Sequence, residues 1–230
     1  MILVHGHRGA KARMPENTLP GFEYAIRIGV DAIELDVVVT QDGELVVSHD
    51  PILERGHAPT LDEVLWLAEV VQALSPANPF RFDVEIKTWS GPPPCPAPHE
   101  FGRRVLEKIR AHSLESRVSV MSFDFRVLKA MRALAPQIRL SALTENDPRS
   151  FPEIAREAAS AEIVAPQFLL VTPEKVAAAH AARIEVVPWT VNGSANWDRM
   201  IAAGVDGIIT DDPAELIAPL VSRGLRGPAC

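Results

Sequence analysis

Four short polar groups in the first 90 residues contain the side chains best suited to chemistry. Each group lies in or directly after an apolar, β-branched run that predicts a β-strand, where an unpaired charge would be costly to bury. Together they supply carboxylates, imidazoles and cations: His7-Arg8, Glu34-x-Asp36, His49-Asp50 and Glu85-x-Lys87. Such a set is suited to holding a divalent metal ion and acting on a phosphate ester.

The two charged pairs within strands indicate a site for a hard cation. Side chains alternate along a strand, so Glu34 and Asp36 point to the same face, roughly 6.6 Å apart, and Glu85 and Lys87 share a face of a later strand. Three converging carboxylates would repel one another without a cation between them, and oxygen ligands favour Mg²⁺ or Ca²⁺ over zinc. A lone Glu–Lys pair is often only a structural ion pair, but two such groups beside two histidines favour a site.

The two histidines, His7 and His49, suit proton transfer, because imidazole changes charge near neutral pH. Cleavage of a phosphodiester needs a base to activate the nucleophile and an acid to protonate the leaving alkoxide. Two histidines on opposite sides of the phosphate could share that work. Arg8 and Lys87 would then neutralise the non-bridging phosphate oxygens together with the metal.

These groups need a scaffold that brings strand ends together, and the chain alternates predicted strands and helices throughout. The predicted strands span residues 2–7, 32–40, 81–88, 118–123, 138–143, 163–165, 185–190 and 205–210, with a returning run at 44–47 after an Asp-Gly turn. The predicted helices begin near residues 17 and 60 and span 99–113, 125–134, 151–159, 173–182, 195–203 and 214–222.

Eight strand–helix units predict an α/β fold, a TIM (β/α)8 barrel, rather than an open doubly wound sheet. No Gly-x-Gly-x-x-Gly turn follows the first strand, which weakens a dinucleotide-binding alternative. No linker divides the chain, so a single domain over residues 1–230 is predicted. Parallel strands place their carboxyl ends at one face of the barrel, where the charged pairs would meet.

Composition restricts the partners. The 230 residues carry a net charge of −7, which argues against a nucleic-acid partner because backbone binders present a basic face. No apolar run approaches the ~20 residues needed to span a bilayer, so no stable membrane insertion is expected. The first residues lack the pattern of a signal peptide, and the two cysteines, Cys95 and Cys230, form no disulfide framework or zinc motif. A cytoplasmic protein is predicted, with its oligomeric state left open.

Further segments complete a pattern that resembles the glycerophosphodiester phosphodiesterase family. Singly most are weak, but they cover nearly the whole chain in the family's order: His7-Arg8-Gly9, Glu16-Asn17-Thr18, Glu34-Leu35-Asp36-Val37, Thr40-x-Asp42-Gly43, His49-Asp50, Glu85-Ile86-Lys87, Ser122-Phe123, Trp189-Thr190-Val191-Asn192 and Gly207-Ile208-Ile209-Thr210-Asp211. The resemblance implies a TIM barrel that uses one divalent cation to hydrolyse small glycerophosphodiesters to sn-glycerol 3-phosphate and an alcohol.

Site roles are carried over from the family motif by motif. The resemblance implies that the metal ligands are Glu34, Asp36 and Glu85, that the acid/base pair is His7 and His49, and that the substrate-binding residues are Arg8, Lys87 and Trp189. Trp189 would form an apolar wall beside the substrate.

The chain departs from the family's pattern in two places. Family members carry a longer insertion after the His-Asp motif, whereas here only about ten residues separate Asp50 from the helix that starts at Thr60, which predicts a more open site. His5 replaces an apolar or small residue and shares a face with His7, so it could support a site residue or form a polar plug of the barrel, and the plug is slightly favoured. Asp83 is expected to have an internal hydrogen-bonding role. His57 could reach toward the site from the shortened loop, but a solvated loop residue is favoured.

Two alternatives to direct hydrolysis are kept. One is a related phosphodiesterase that acts on another head group or on a lysophospholipid by internal attack of a neighbouring hydroxyl. The other is a catalytically silent barrel that binds phosphodiesters, but such a barrel would be expected to lack a histidine or a metal ligand, and none is missing here.

Overall fold

The computed structural model describes residues 1–52, 54–74 and 80–227. Its strands are β1 Leu3–Gly6, β2 Ala32–Val39, β3 Leu45–Val47, β4 Arg81–Ile86, β5 Val118–Ser122, β6 Arg139–Thr144, β7 Ile163–Pro166, β8 Glu185–Val186 and β9 Gly207–Thr210. Its α-helices are α1 Leu19–Arg27, α2 Leu61–Leu74, α3 Pro98–Ala111, α4 Phe125–Leu134, α5 Phe151–Glu157, α6 Pro173–Ala181, α7 Ser194–Ala203 and α8 Pro213–Ser222. Two 3₁₀ turns, Glu115–Arg117 and Phe168–Leu170, were not expected from the sequence.

Eight parallel strands form the barrel, in the order β8-β7-β6-β5-β4-β2-β1-β9. The barrel closes between β8 and β9 through backbone hydrogen bonds, including one from the Asp206 N–H to the Val186 carbonyl and one from the Ile209 N–H to the Pro188 carbonyl, both 3.0 Å. β3 pairs antiparallel with β2, as the Asp-Gly turn predicted. The TIM barrel expected from the strand–helix alternation is confirmed.

The regular part of β8 is shorter than the predicted 185–190. Pro188 lacks an N–H and so cannot continue the ladder, and the strand ends at Val186. The segment that follows still runs along its neighbours, since the Trp189 N–H donates to the Pro166 carbonyl at 3.0 Å. The predicted segment therefore runs beside its neighbours over its length, and only its regular strand is shorter than predicted.

Helix starts follow their capping residues. Thr18 accepts a hydrogen bond from the Gly21 N–H at 3.2 Å at the start of α1. At the start of α2, the Thr60 Oγ1 accepts from the Glu63 N–H at 3.1 Å, and Glu63 accepts from the Thr60 N–H at 2.7 Å. This is the reciprocal capping box that the sequence spacing predicted.

The apolar core has two parts. Outward-facing strand residues pack against the helices, as with Leu35, Val37 and Val84, which are fully buried. A second cluster lies inside the barrel and consists of Met121, Leu143, Ile163, Ala165, Val187 and Ile209. On β2 and β4 the inward positions are instead acidic, which leaves room for a polar site at that side of the barrel.

Among the described residues, no helix is both long and apolar enough to cross a lipid bilayer.

Candidate active site

A tight turn after β1 sets the first part of the site. A Cβ on Gly6 would collide with the carbonyl oxygen of Gly9, and both Arg8 and Gly9 have positive φ, at 49° and 92°. Glycine adopts such backbone at little cost, which lets the turn reverse direction between His7 and Gly9. The Arg8 N–H donates to Glu34 Oε2 at 2.9 Å, so the same turn anchors a carboxylate of β2.

Three carboxylates meet at the carboxyl ends of β2 and β4. Asp36 lies beside Glu85 in the parallel register, and each of Glu34, Asp36 and Glu85 has an oxygen within 4.8 Å of an oxygen of the other two. All three are buried, with exposed fractions of 3%, 1% and 7%. The three carboxylates converge, as the alternation of side chains along the strands predicted.

Cations and an amide surround this acidic cluster. Lys87 Nζ lies 3.3 Å from Glu85 Oε1 and 3.5 Å from Asp36 Oδ1, and Arg8 Nε lies 3.1 Å from Asp36 Oδ2. Asn17 donates to the same Asp36 oxygen at 2.9 Å. The Asp36 carboxylate is therefore in contact with Arg8, Lys87 and Asn17.

The proton affinities of the three acids differ for physical reasons. Burial, with the charges of Asp36 and Glu85, raises the pKa of Glu34 well above its usual range. Burial and Asp36 raise the pKa of Glu85 to about 7. Burial also acts to raise the pKa of Asp36, but Lys87 and Arg8 outweigh it and the net direction is downward. Without a further cation, Glu34 and Glu85 therefore bind a proton more readily than an ordinary glutamate.

A divalent cation fits this donor set. The three side chains offer only carboxylate oxygens, which are the ligands that Mg²⁺ and Ca²⁺ prefer. A bound cation would also offset the mutual repulsion that raises the pKa of Glu34 and Glu85. Among the described residues this is the one cluster of acidic, histidine or cysteine ligands with such close spacing.

The two histidines lie beside the acids but are held differently. His7 Nδ1 lies 2.5 Å from Asp211 Oδ1, and its Nε2 lies 3.9 Å from Glu34 Oε2. His49 follows β3, where the Ser48 N–H donates to the Asp36 carbonyl at 3.0 Å. His49 Nδ1 contacts Asp50 Oδ1 at 2.8 Å, and Asp50 is largely exposed.

A cavity of about 240 Å³ collects these groups. Seven of the eight residues predicted for the site line it, namely His7, Arg8, Glu34, His49, Glu85, Lys87 and Trp189. The eighth, Asp36, lies behind Arg8 and Lys87, which both contact it. The sequence analysis did not assign roles to the other lining residues, which are Met121, Phe123, Leu143, Thr190 and Ile209.

The cavity therefore has a charged side and an apolar side. Trp189 is fixed by a 2.7 Å hydrogen bond from its Nε1 to the Ala165 carbonyl. Phe123 packs edge-to-face against it, with ring centroids 5.4 Å apart. The aromatic corner follows β5 and β8, so its members are single residues at the ends of strands distant in sequence.

Three further polar residues were singled out in the sequence, namely His5, Asp83 and His57. His5 Nδ1 contacts Asp83 Oδ2 at 2.5 Å inside the barrel, and Asp83 also accepts from the Ser119 hydroxyl. Burial opposes ionisation of Asp83, but His5 and Ser119 lower its pKa on balance. His57 is exposed in the loop between β3 and α2 and does not line the cavity.

The fold and this cavity define a TIM-barrel enzyme whose site lies at the carboxyl ends of its strands. The family model described as "Glycerophosphoryl diester phosphodiesterase family" matches residues 7–61 and 57–215. The chain belongs to this family, as its motifs predicted.

Individual relatives agree with this membership. A glycerophosphodiester phosphodiesterase from Caldanaerobacter subterraneus subsp. tengcongensis is 33% identical, with 96% of this chain and 98% of the relative covered. One from Bacillus altitudinis is 32% identical, with 93% and 96% covered. In fold, the chain is similar to a phosphodiesterase from Oleispira antarctica solved in complex with the product sn-glycerol-3-phosphate, with a TM-score of 0.80, 20% identity, and 95% and 96% coverage.

Proposed function

We propose that the protein hydrolyses glycerophosphodiesters to sn-glycerol 3-phosphate and an alcohol, with one divalent cation, Mg²⁺ or Ca²⁺, bound by Glu34, Asp36 and Glu85. The observation that carries the proposal is the convergence of three buried carboxylates beside two histidines and two cations in one cavity. The activity named for the Caldanaerobacter and Bacillus relatives supports the substrate class. The cytoplasmic location, the single domain and the absence of a nucleic-acid partner stay predictions.

The roles follow from what each side chain can do at its position. Bound at the acidic cluster, the cation would neutralise phosphate charge and polarise the phosphorus–oxygen bonds. Arg8 and Lys87 would hold the non-bridging oxygens and favour the charge that develops on them. His7 and His49 would share the proton transfers, one taking a proton from the attacking oxygen and the other giving one to the leaving alkoxide.

A panel assay tests this function. Turnover of glycerophosphodiesters that release choline, ethanolamine, glycerol or inositol would be followed with a coupled glycerol 3-phosphate readout, with Mg²⁺, with Ca²⁺ and with chelator. We expect turnover of at least one diester that depends on the metal. Tight binding of these diesters without turnover in either metal would instead favour the silent barrel.

The apolar side of the cavity favours one second candidate, an internal attack on a lysophospholipid. Phe123 is 43% exposed at the rim, and the connection after His49-Asp50 is short, so an alkyl chain could leave the cavity beside the aromatic corner. Internal attack by the neighbouring hydroxyl would give a cyclic phosphate. Reaction in ¹⁸O-labelled water distinguishes the routes, since only direct hydrolysis places the label in the first-formed product.

Metal affinity should depend on pH because Glu85 must lose its proton to bind a cation. Its pKa is raised to about 7 in the metal-free protein, so the proton competes below that pH and not above it. We expect the Kd for Mg²⁺ or Ca²⁺ to weaken at least tenfold from pH 8 to pH 6, since displacing the Glu85 proton alone requires about tenfold and the raised pKa of Glu34 acts in the same direction. Calorimetric titration at both pH values checks this, and a Kd that is unchanged would count against metal binding at Glu85.

Trp189 should contribute to substrate binding more than to chemistry. Replacing Trp189 with alanine removes one side of the aromatic corner, so we expect KM to rise about tenfold with kcat little changed, while Trp189→Phe retains most binding. Trp66, 59% exposed on α2 and outside the cavity, provides the matched control Trp66→Ala, which should leave both constants within twofold. Equal KM and kcat values for the two alanine variants would show that Trp189 does not contribute to substrate binding.

A further inference from the structure

His7 has a carboxylate partner that comes from the other end of the chain. Asp211 directly follows β9, 204 positions after His7, and its Oδ1 lies 2.5 Å from His7 Nδ1. The two side chains are 14% and 24% exposed. A backbone hydrogen bond from the His7 N–H to the Thr210 carbonyl, 2.9 Å long, fixes the two segments relative to each other.

Asp211 is itself clamped by one residue, Asn192. The Asn192 Nδ2 donates to Asp211 Oδ2 at 2.7 Å, while Asn192 Oδ1 accepts from the Asp211 N–H and from the Thr210 hydroxyl, both at 3.0 Å. Burial acts to raise the pKa of Asp211, but the hydrogen bond and charge of His7 and the Asn192 amide lower it on balance. One oxygen of the Asp211 carboxylate, Oδ1, therefore contacts His7, and the other, Oδ2, accepts from Asn192.

His49 lacks an equivalent arrangement. Its carboxylate neighbour, Asp50, is the next residue in the chain, and the Asp50 side chain is 84% exposed. No described side chain donates a hydrogen bond to the Asp50 carboxylate in addition to His49. An exposed pair of this kind constrains a ring far less than a clamped one.

We propose that Asp211, held by Asn192, is a positioning residue that keeps the proton of neutral His7 on Nδ1 and so presents Nε2 to the cavity. A carboxylate only accepts hydrogen bonds, so Nδ1 must be the protonated nitrogen. Nε2 is then the atom that exchanges a proton with the substrate, and the imidazolium formed when it gains one is stabilised by the carboxylate. The catalytic consequence rests on the proposed function, whereas the tautomer of His7 does not.

The clamp predicts the effect of Asp211→Asn in atomic detail. The Asn192 amide donor would hold the new amide oxygen, so the new amide NH₂ would face His7 Nδ1. That nitrogen would then have to accept, and the proton would move to Nε2. We expect kcat to fall about 10²–10⁴-fold with KM within threefold of the original, and ¹⁵N NMR of histidine-labelled protein to show the changed tautomer of His7.

A swapped pair separates positioning from a structural role. In the double variant Asp211→Asn/Asn192→Asp, the carboxylate at 192 would accept from the new amide NH₂ and turn the amide oxygen toward His7. The proton should return to Nδ1, and kcat should recover at least tenfold over the single variant. Asp198→Asn, at an exposed ion pair with Arg223, serves as the control and should keep the original kcat.

The proposal would be overturned by a kcat for Asp211→Asn within threefold of the original, by a His7 proton that stays on Nδ1 in that variant, or by a double variant that does not restore the tautomer. If the single variant does not fold, the tautomer in the original protein and in the double variant decides the matter. Absence of turnover by the original protein would contradict the proposed function alone, because the tautomers remain measurable.

Discussion

Replacing either His7 or His49 with alanine is expected to lower kcat for glycerophosphodiester hydrolysis by about 10²–10⁴-fold, the usual contribution of one general acid or base. Both imidazoles line the cavity that contains the acidic cluster and the two cations. Loss of one leaves either the attacking oxygen or the leaving oxygen without its proton partner. Because the metal ligands and phosphate-binding cations remain, KM should change much less than kcat.

The matched control is His99→Ala. His99 is exposed in the first turn of α3 and makes no side-chain hydrogen bond or ion pair with another described residue, so its removal should leave kcat unchanged. Steady-state kinetics of the three variants, with thermal unfolding to show equal folding, complete the test. Turnover near the original rate in His7→Ala or His49→Ala would remove that histidine from the mechanism.

Removal of divalent metal is expected to abolish activity. In the metal-free cluster, burial and mutual repulsion raise the pKa of Glu34 well above its usual range and that of Glu85 to about 7. Without the cation, the cluster has no positive charge of its own to neutralise the phosphate. Treatment with chelator should stop turnover, and added Mg²⁺ or Ca²⁺ should restore it. Activity that survives thorough chelation would refute a catalytic metal.

Glu34→Gln tests the same site without chelator. The amide is nearly isosteric and keeps an oxygen for the Arg8 N–H, which donates to Glu34 Oε2, but it removes one negative charge from the ligand set. We expect metal affinity to fall tenfold or more, with activity partly recovered at high metal concentration. Glu107→Gln, at an exposed ion pair on α3, should leave metal affinity unchanged.

The acidic half of the site could be predicted from the sequence because strand periodicity is local. Glu34 and Asp36 are two residues apart on β2, as Glu85 and Lys87 are at the end of β4, so each pair had to share a face. The predicted barrel made the two strands neighbours, and the structure adds the parallel register that puts Asp36 beside Glu85. No detail of side-chain packing was needed for these residues.

The apolar half and the partner of His7 depend on barrel closure, which a local pattern does not determine. Phe123 and Trp189 come from different strands and meet only because β5 and β8 end at the same face. Asp211 reaches His7 because β9 pairs with β1. The signal that was present in the sequence was position, since all three residues lie within one residue of the end of a predicted strand.

The most direct test of the central claim is ³¹P NMR of glycerophosphodiester hydrolysis by the original protein in Mg²⁺ or Ca²⁺. The expected result is loss of the diester resonance and appearance of sn-glycerol 3-phosphate, with no product when chelator is present. No turnover of any diester in the panel by folded, metal-loaded protein would contradict the account, as would a phosphorylated alcohol head group in place of sn-glycerol 3-phosphate.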